Sequence, residues 1–365
     1  MLCGILKAIK NEGDNMTDIS KVDKNFIVDT KIDKADIKFY NVTEAPFKVY
    51  GVYHTGERFV RLPGEVAKKV SSGVYSLHWH TAGGRVRFKT DSPYIAIHAK
   101  MPGPAKMSHF ALTGSTGFDL YQKHGEEDRY SLSFVPPFDI KDGYEMVKDV
   151  GNVGMREYTI NFPLYSTLTD LYIGLAEDAK IEEPTPYRDI PPIVYYGSSI
   201  TQGGCASRPG STYQAHISRW FNIDHINLGF SGSAKGEDEM IDYIKGLNMS
   251  CFVLDYDYNA PSAEHLAATH EKMFKAVRET HPNIPIIMMP MPIYYTWESE
   301  KPRQAIIKAT YDNAVKAGDK NVYFISSREM MEWCGNEGTV DGCHPTDLGF
   351  FSMAKALEKV MKKIF

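Results

Sequence analysis

From residue 193 to the C-terminus, short apolar runs alternate with longer amphipathic stretches, and this alternation limits the fold more than any other feature. The runs IVYYGSS, HINLGF, CFVLDYD, IPIIMMP and NVYFIS read as strands buried on both faces. STYQAHISRWF, EDEMIDYIKGL, SAEHLAATHEKMFKAVRETH and RQAIIKATYDNAVKAG between them, and LGFFSMAKALEKVMKKI at the end, read as helices. Strand and helix in alternation imply a parallel sheet covered by helices on both faces. Ligands of such sheets bind beyond the carboxyl ends of the strands, so the residues just after each strand are where chemistry is expected.

The preceding half follows another pattern. DIKFYNV, GVYSLHW, GRVRFKT, YIAIHAK, REYTINF and DLYIGLA are short, rich in Val, Ile, Tyr and Phe, and set apart by turn residues. They predict a β-sandwich over residues 31–180. KIEEPTPYRDIPP, with four prolines and five charged side chains, predicts a linker over 181–192, leaving 193–365 as the α/β domain. Residues 1–30 are expected to be a disordered N-terminus, with Met16 as an alternative start to Met1. The five cysteines are scattered and form no CxxC pair, which suits a reducing compartment. MLCGILKAIKNEGDNM lacks the apolar run of a signal peptide, and no segment reaches membrane-spanning length. A cytoplasmic location without membrane attachment is therefore expected. The net charge of 41 − 46 = −5, without a basic tract, argues against nucleic acid as a partner.

Four stretches after the strands carry residues suited to acyl transfer from an ester: Gly197-Ser198-Ser199, Ser231-Gly232, Tyr256-Asp257-Tyr258-Asn259 and Asp341-Gly342-Cys343-His344-Pro345. A serine hydroxyl becomes nucleophilic when a base accepts its proton. Histidine fills that role if a carboxylate fixes its tautomer, and Asp341 stands three residues before His344. An oxyanion needs donors, which a serine N–H opening a helix, a glycine N–H and an asparagine amide supply. These residue types alone leave open which of the adjacent serines attacks.

In their order and placement, GSSIT, the Ser-Gly at 231–232, Asn259 and the DGCHP loop resemble the SGNH (GDSL-type) serine esterases. The resemblance spans the second half of the chain. It aligns the family's GDS with Gly197-Ser198-Ser199, making Ser199 the nucleophile and putting Ser198 where aspartate is usual. It further implies His344 as base, Asp341 as its orienter, and the Ser199 N–H, Gly232 and Asn259 as the oxyanion hole. YDYN replaces the usual GxND, keeping the asparagine and losing the glycine. Gly117-Phe118-Asp119-Leu120-Tyr121 is similar to the GxDLY pattern of a β-rich domain preceding this esterase type in two-domain bacterial proteins. The implied architecture is a flavodoxin-like parallel sheet flanked by helices, preceded by a jelly-roll-like β-sandwich. The implied activity is a carbohydrate O-acetylesterase acting on plant-derived manno- or xylo-oligosaccharides, with no cofactor and no metal.

Blander readings stand beside these. GSSITQGG alone would suit a phosphate-binding turn, but such a turn needs no Asp–His pair at the far end of the sheet. Asp341, Cys343 and His344 crowd too closely for a tetrahedral zinc site. Trp79, Tyr294, Tyr295 and Trp297 are either packing residues or flat faces for sugar rings. Arg208 is either a salt bridge at a helix start or a polar contact to substrate. The expected partner is a small acetylated oligosaccharide, and a homodimer is left open. The competing functions are a lysophospholipase or thioesterase, which needs a long apolar pocket, and a glycan-binding module without catalysis.

Overall fold

The computed structural model describes residues 31–152 and 154–365; the segment 1–30, with its expected disorder and alternative start, lies outside them. Two antiparallel sheets form the first half. One runs in the order Ile37–Asn41, Asp170–Ala176, Tyr94–Lys100, Gly143–Asp149. The other runs Ile181–Glu182, Arg85–Thr90, Arg156–Asn161, Phe118–His124, Glu127–Phe134, with Lys48–Tyr50 also paired to Arg85–Thr90. Alternate side chains of both sheets point into one core: Ile95, Ile97, Leu171 and Ile173 from the first, Val86, Phe88, Leu120 and Ile160 from the second. The first half is thus a β-sandwich, as its strand pattern implies.

Two stretches differ from expectation. GVYSLHW is not a strand: Ser72–Leu77 is a helix, capped by Ser71 Oγ accepting the Val74 N–H at 3.1 Å. The Ser71 cap and the burial of Val74 in the core of the second half prevail over the local β-propensity. With the helix Gly64–Val70, it leaves the sandwich and packs Leu62, Ala67, Val70 and Val74 against Val194, Tyr196 and Leu228 of the second half. Nor do residues 181–192 form a free spacer. Ile181–Glu182 extends a sandwich sheet, the Tyr187 ring lies 4.2 Å from the Arg87 guanidinium, and the Arg188 N–H reaches Asn222 O at 2.9 Å.

The second half is built on five parallel strands: β1 (Ile193–Gly197), β2 (His225–Gly229), β3 (Cys251–Asp255), β4 (Ile286–Met288) and β5 (Val322–Phe324). Their order is β2-β1-β3-β4-β5. Successive residues serve opposite faces. Ile193, Tyr195, Cys251, Val253 and Ile287 enter one apolar cluster, while Val194, Tyr196, Phe252, Leu254 and Ile286 enter the other. That two-sided burial explains why these runs are apolar throughout. The chain winds outward in both directions from β1, which opens a crevice at the carboxyl ends of β1 and β3. Ser199 lies two residues beyond β1, at this crevice. No helix among the described residues is long and apolar enough to cross a membrane.

Candidate active site

β1 ends at Gly197, where a Cβ atom would sit 2.0 Å from the Asp255 carbonyl oxygen, so the turn requires glycine. The Ser198 N–H donates to that carbonyl at 3.0 Å. Ser198 Oγ accepts the Ile200 N–H at 3.1 Å and so caps the short helix Ser199–Gln202. Capping occupies the Ser198 hydroxyl. Ser199 Oγ instead lies 2.9 Å from His344 Nε2. As the first helical residue, Ser199 also presents an N–H that has no partner within the helix.

The DGCHP loop folds so that Asp341 meets both the ring and the backbone of His344. Asp341 Oδ2 is 2.7 Å from His344 Nδ1, and Oδ1 accepts the N–H groups of Cys343 at 3.0 Å and His344 at 2.7 Å. Burial alone would raise the Asp341 carboxyl, but these hydrogen bonds outweigh it and lower its pKa to about 2. An ionised Asp341 has no proton to give, so the geometry assigns the Nδ1 proton to His344 and leaves Nε2 to accept from Ser199.

Gly232, in the loop after β2, adopts φ +66°, a left-handed conformation that suits glycine, and faces open space. Its loop is tied to the Ser199 helix by Gln202, whose Oε1 accepts the Ser231 N–H at 3.0 Å. Asn259 lies in the 3-10 turn Asp257–Asn259 after β3, and its Nδ2 donates to Phe230 O at 2.9 Å. The second amide proton of Asn259 remains available. Asp257, where the family pattern has glycine, does not adopt positive φ, so the turn forms without glycine. Asp257 Oδ2 accepts the Met291 N–H at 3.1 Å, and Arg303 Nη1 donates to the carbonyls of Asp257 and Ala260 at 2.6 and 2.9 Å. Burial pushes the Asp257 carboxyl up to about 7.

The remaining sequence candidates are dispersed. The Trp297 ring, 43% exposed, lies against Gly342 in the Asp341–His344 loop. Tyr295 is 69% exposed and packs edge-on to Tyr294, whose ring is covered by Arg328 at 4.5 Å. Trp79 contacts Arg58, Tyr75 and His78 within the first half, away from Ser199 and His344 in the chain. Arg208 reaches across to the GxDLY segment: its Nη1 donates to Asp119 Oδ2 at 3.2 Å and to the Tyr121 hydroxyl, and its guanidinium stacks 4.0 Å from the Tyr130 ring. Asp119, fully buried, also accepts the Gly210 N–H at 2.7 Å and the Asn161 amide at 2.8 Å. Of the two readings of Arg208, the salt bridge describes its position, with a partner in the sandwich.

Four residues of the first half that sequence reasoning did not single out for the site also shape it. The Tyr165 hydroxyl donates to Ser199 O at 3.2 Å. His80 Nδ1 is 3.1 Å from Gln202 Nε2. Arg61, completely buried, donates to the carbonyls of Asn227 at 3.1 Å and Gly229 at 2.5 Å, at the end of β2. His109 Nε2 lies 4.0 Å from Asp341 Oδ2. No local pattern marks them, because their partners are more than 30 residues away in the chain. Among the described residues, two groups could hold a metal ion: His109, Cys205 and His344; and Asp341, Cys343 and His344.

A family model for the GDSL-like lipase/acylhydrolase family matches residues 191–362, and one for the GxDLY N-terminus of SGNH-hydrolase-type esterases matches residues 37–181. The crystal structure of a Bacteroides ovatus protein assigned as a GDSL-like lipase is similar at TM-score 0.80 and 30% identity, covering 90% of this chain and 98% of that one. The salicylyl-acyltransferase SsfX3 from a tetracycline biosynthetic pathway is similar at TM-score 0.71 and 19% identity, over 91% of this chain and 98% of its own. A family two carbohydrate esterase from Clostridium thermocellum, in complex with cellohexaose, shares the fold at TM-score 0.56 and 14% identity, over 78% and 93%. No curated protein matches the chain.

Proposed function

The chain belongs to the GDSL-like lipase/acylhydrolase family, esterases acting on carboxylic esters, and from that premise we propose that it is a carbohydrate O-acetylesterase. Its substrates in this reading are acetylated plant-derived oligosaccharides of the manno or xylo type. The observation that carries the proposal is the hydrogen-bonded chain Ser199–His344–Asp341 at the mouth of the β1/β3 crevice. Exposed Trp297, which lies against Gly342, and exposed Tyr295 two residues before it in the chain offer flat faces to sugar rings. Carbohydrate esterases of the same fold lend further support.

Ser199 Oγ attacks the acetyl carbonyl carbon while His344 Nε2 takes the hydroxyl proton. The negative oxygen of the tetrahedral intermediate receives hydrogen bonds from the N–H groups of Ser199 and Gly232 and from Asn259 Nδ2. His344 returns the proton to the departing sugar oxygen, leaving an acetyl-enzyme. Water, deprotonated by His344, then releases acetate. Asn259→Ala should lower kcat by about 10²–10³-fold with little change in KM, because the donor acts on charge that develops only in the transition state. Steady-state kinetics on an aryl acetate measures this, and a loss under about threefold would remove Asn259 from the oxyanion hole.

The GxDLY half walls one side of the cleft in this reading, through His109 and Tyr165. A cytoplasmic location is part of this proposal, supported by four described cysteines held as free thiols, and the enzyme would then act on imported oligosaccharides. The deciding experiment is acetate release from a panel of acetylated manno- and xylo-oligosaccharides, with the Ser199→Ala protein as blank. Release by the unaltered protein alone supports the proposal. Turnover confined to long-chain acyl esters or thioesters would move the assignment to a lysophospholipase or thioesterase.

A further inference from the structure

His109, Cys205 and His344 come from three separate loops: one in the sandwich half, one just after the Ser199 helix, and one before the last helix. Their candidate ligand atoms, one imidazole nitrogen from each histidine and the Cys205 sulfur, all lie within 4.8 Å of one another. Tetrahedral zinc, with bonds of about 2.0–2.3 Å, holds its ligands about 3.4–3.8 Å apart, so closing this cage needs side-chain movements of only about 1 Å. Cys205 is one of two described non-glycine residues with positive φ, at +73°. Such strained positions cluster at ligand clamps. Asp341, Cys343 and His344, the second group, lie within four consecutive residues, and both Asp341 oxygens are already hydrogen-bonded. The three-loop group is the better cage.

We propose that His109, Cys205 and His344 form an inhibitory binding site for a thiophilic divalent cation, with Zn²⁺ as the representative ion. Three protein ligands leave a fourth position for water. Binding involves no redox change: the Cys205 S–H proton leaves to solvent as the S–Zn bond forms, and the two imidazoles bind through nitrogen lone pairs. Inhibition follows whichever nitrogen His344 uses. Nε2 is the atom beside the Ser199 hydroxyl and Nδ1 the atom beside Asp341, so a metal on either one breaks the relay. The inhibitory consequence rests on the esterase reading, whereas the binding does not.

Co²⁺ added to the full-length protein provides the test, because a cobalt–thiolate bond gives charge-transfer absorption in the near ultraviolet. The expected result is one equivalent of Co²⁺ bound with that absorption, displaced by Zn²⁺. Cys205→Ser should abolish the band, and His109→Gln, a change at a half-exposed side chain, should weaken Co²⁺ binding by at least about tenfold. Cys343→Ser should retain the band. Zn²⁺ should inhibit the unaltered esterase, with chelator restoring activity, and the Cys205→Ser protein should hydrolyse ester normally while resisting Zn²⁺. Absence of the band, its loss in Cys343→Ser instead of Cys205→Ser, or equal Zn²⁺ sensitivity in Cys205→Ser would overturn the proposal. A Cys205-dependent band in a protein that cleaves no ester would keep the site and reject the esterase reading.

Discussion

Ser199→Ala is expected to lower kcat by roughly 10⁶-fold while the protein stays folded. The substitution deletes the atom 2.9 Å from His344 Nε2 and little else, since Ser199 Oγ has no other hydrogen bond among the described residues. Alanine fits the helical turn Ser199–Gln202, and stability should change by no more than about 1 kcal/mol. Ser198→Ala is the informative contrast. Ser198 Oγ caps the same turn, so its loss should cost about 1 kcal/mol of stability and leave most turnover in place. Rates on a chromogenic acetate, with urea unfolding of each variant, separate the two outcomes. If Ser199→Ala stayed within tenfold of the unaltered protein and Ser198→Ala did not, the nucleophile would be the neighbouring serine.

The legible parts of the structure were those written in local pattern. Two-sided burial requires apolar residues at successive positions, so Ile193-Val194-Tyr195-Tyr196 announced a central strand of a covered sheet. Asp341 and His344 were legible because a carboxylate and an imidazole three residues apart meet within one turn. The stretch around Val74 misled because six residues are too few to distinguish alternation from helical spacing; the Ser71 cap and the apolar cluster shared with the α/β half decided for helix. Arg208 was ambiguous for a related reason. Its partner, Asp119, is 89 residues away, and a sequence names a charge without naming what it faces. The same holds for Arg61, His80, His109 and Tyr165, which reach from the first half to the ends of β1 and β2 and to the Asp341–His344 loop. Of the GxDLY segment, Asp119 and Tyr121 touch the loop that follows the Ser199 helix, which gives that motif a physical role: it fixes residues 208–210.

Asp341→Asn should lower kcat by about 10⁴-fold near neutral pH with little effect on KM. The asparagine oxygen can still accept the Cys343 and His344 N–H groups, so the loop should keep its shape. Its amide nitrogen, however, would present a proton to His344 Nδ1, where the carboxylate now accepts one. His344 would then carry its proton on Nε2 and could not accept from Ser199. The loss is one of tautomer, which separates it from general damage to the loop. The pH dependence of stability supplies an independent reading. The Asp341 carboxyl is lowered from 3.8 to about 2 in the folded protein. A depressed carboxylate contributes stability that is fully present above the unfolded value and lost as pH falls through the folded one. Between pH 3.8 and about 2 the unaltered protein should therefore lose a stabilising contribution that the Asp341→Asn protein never had, and their urea midpoints should converge. Near-normal turnover in the Asp341→Asn protein would show that His344 is held in its working tautomer by something other than this carboxylate. A full loss of kcat with midpoints that stay parallel down to pH 2 would keep the catalytic role and reject the depressed pKa.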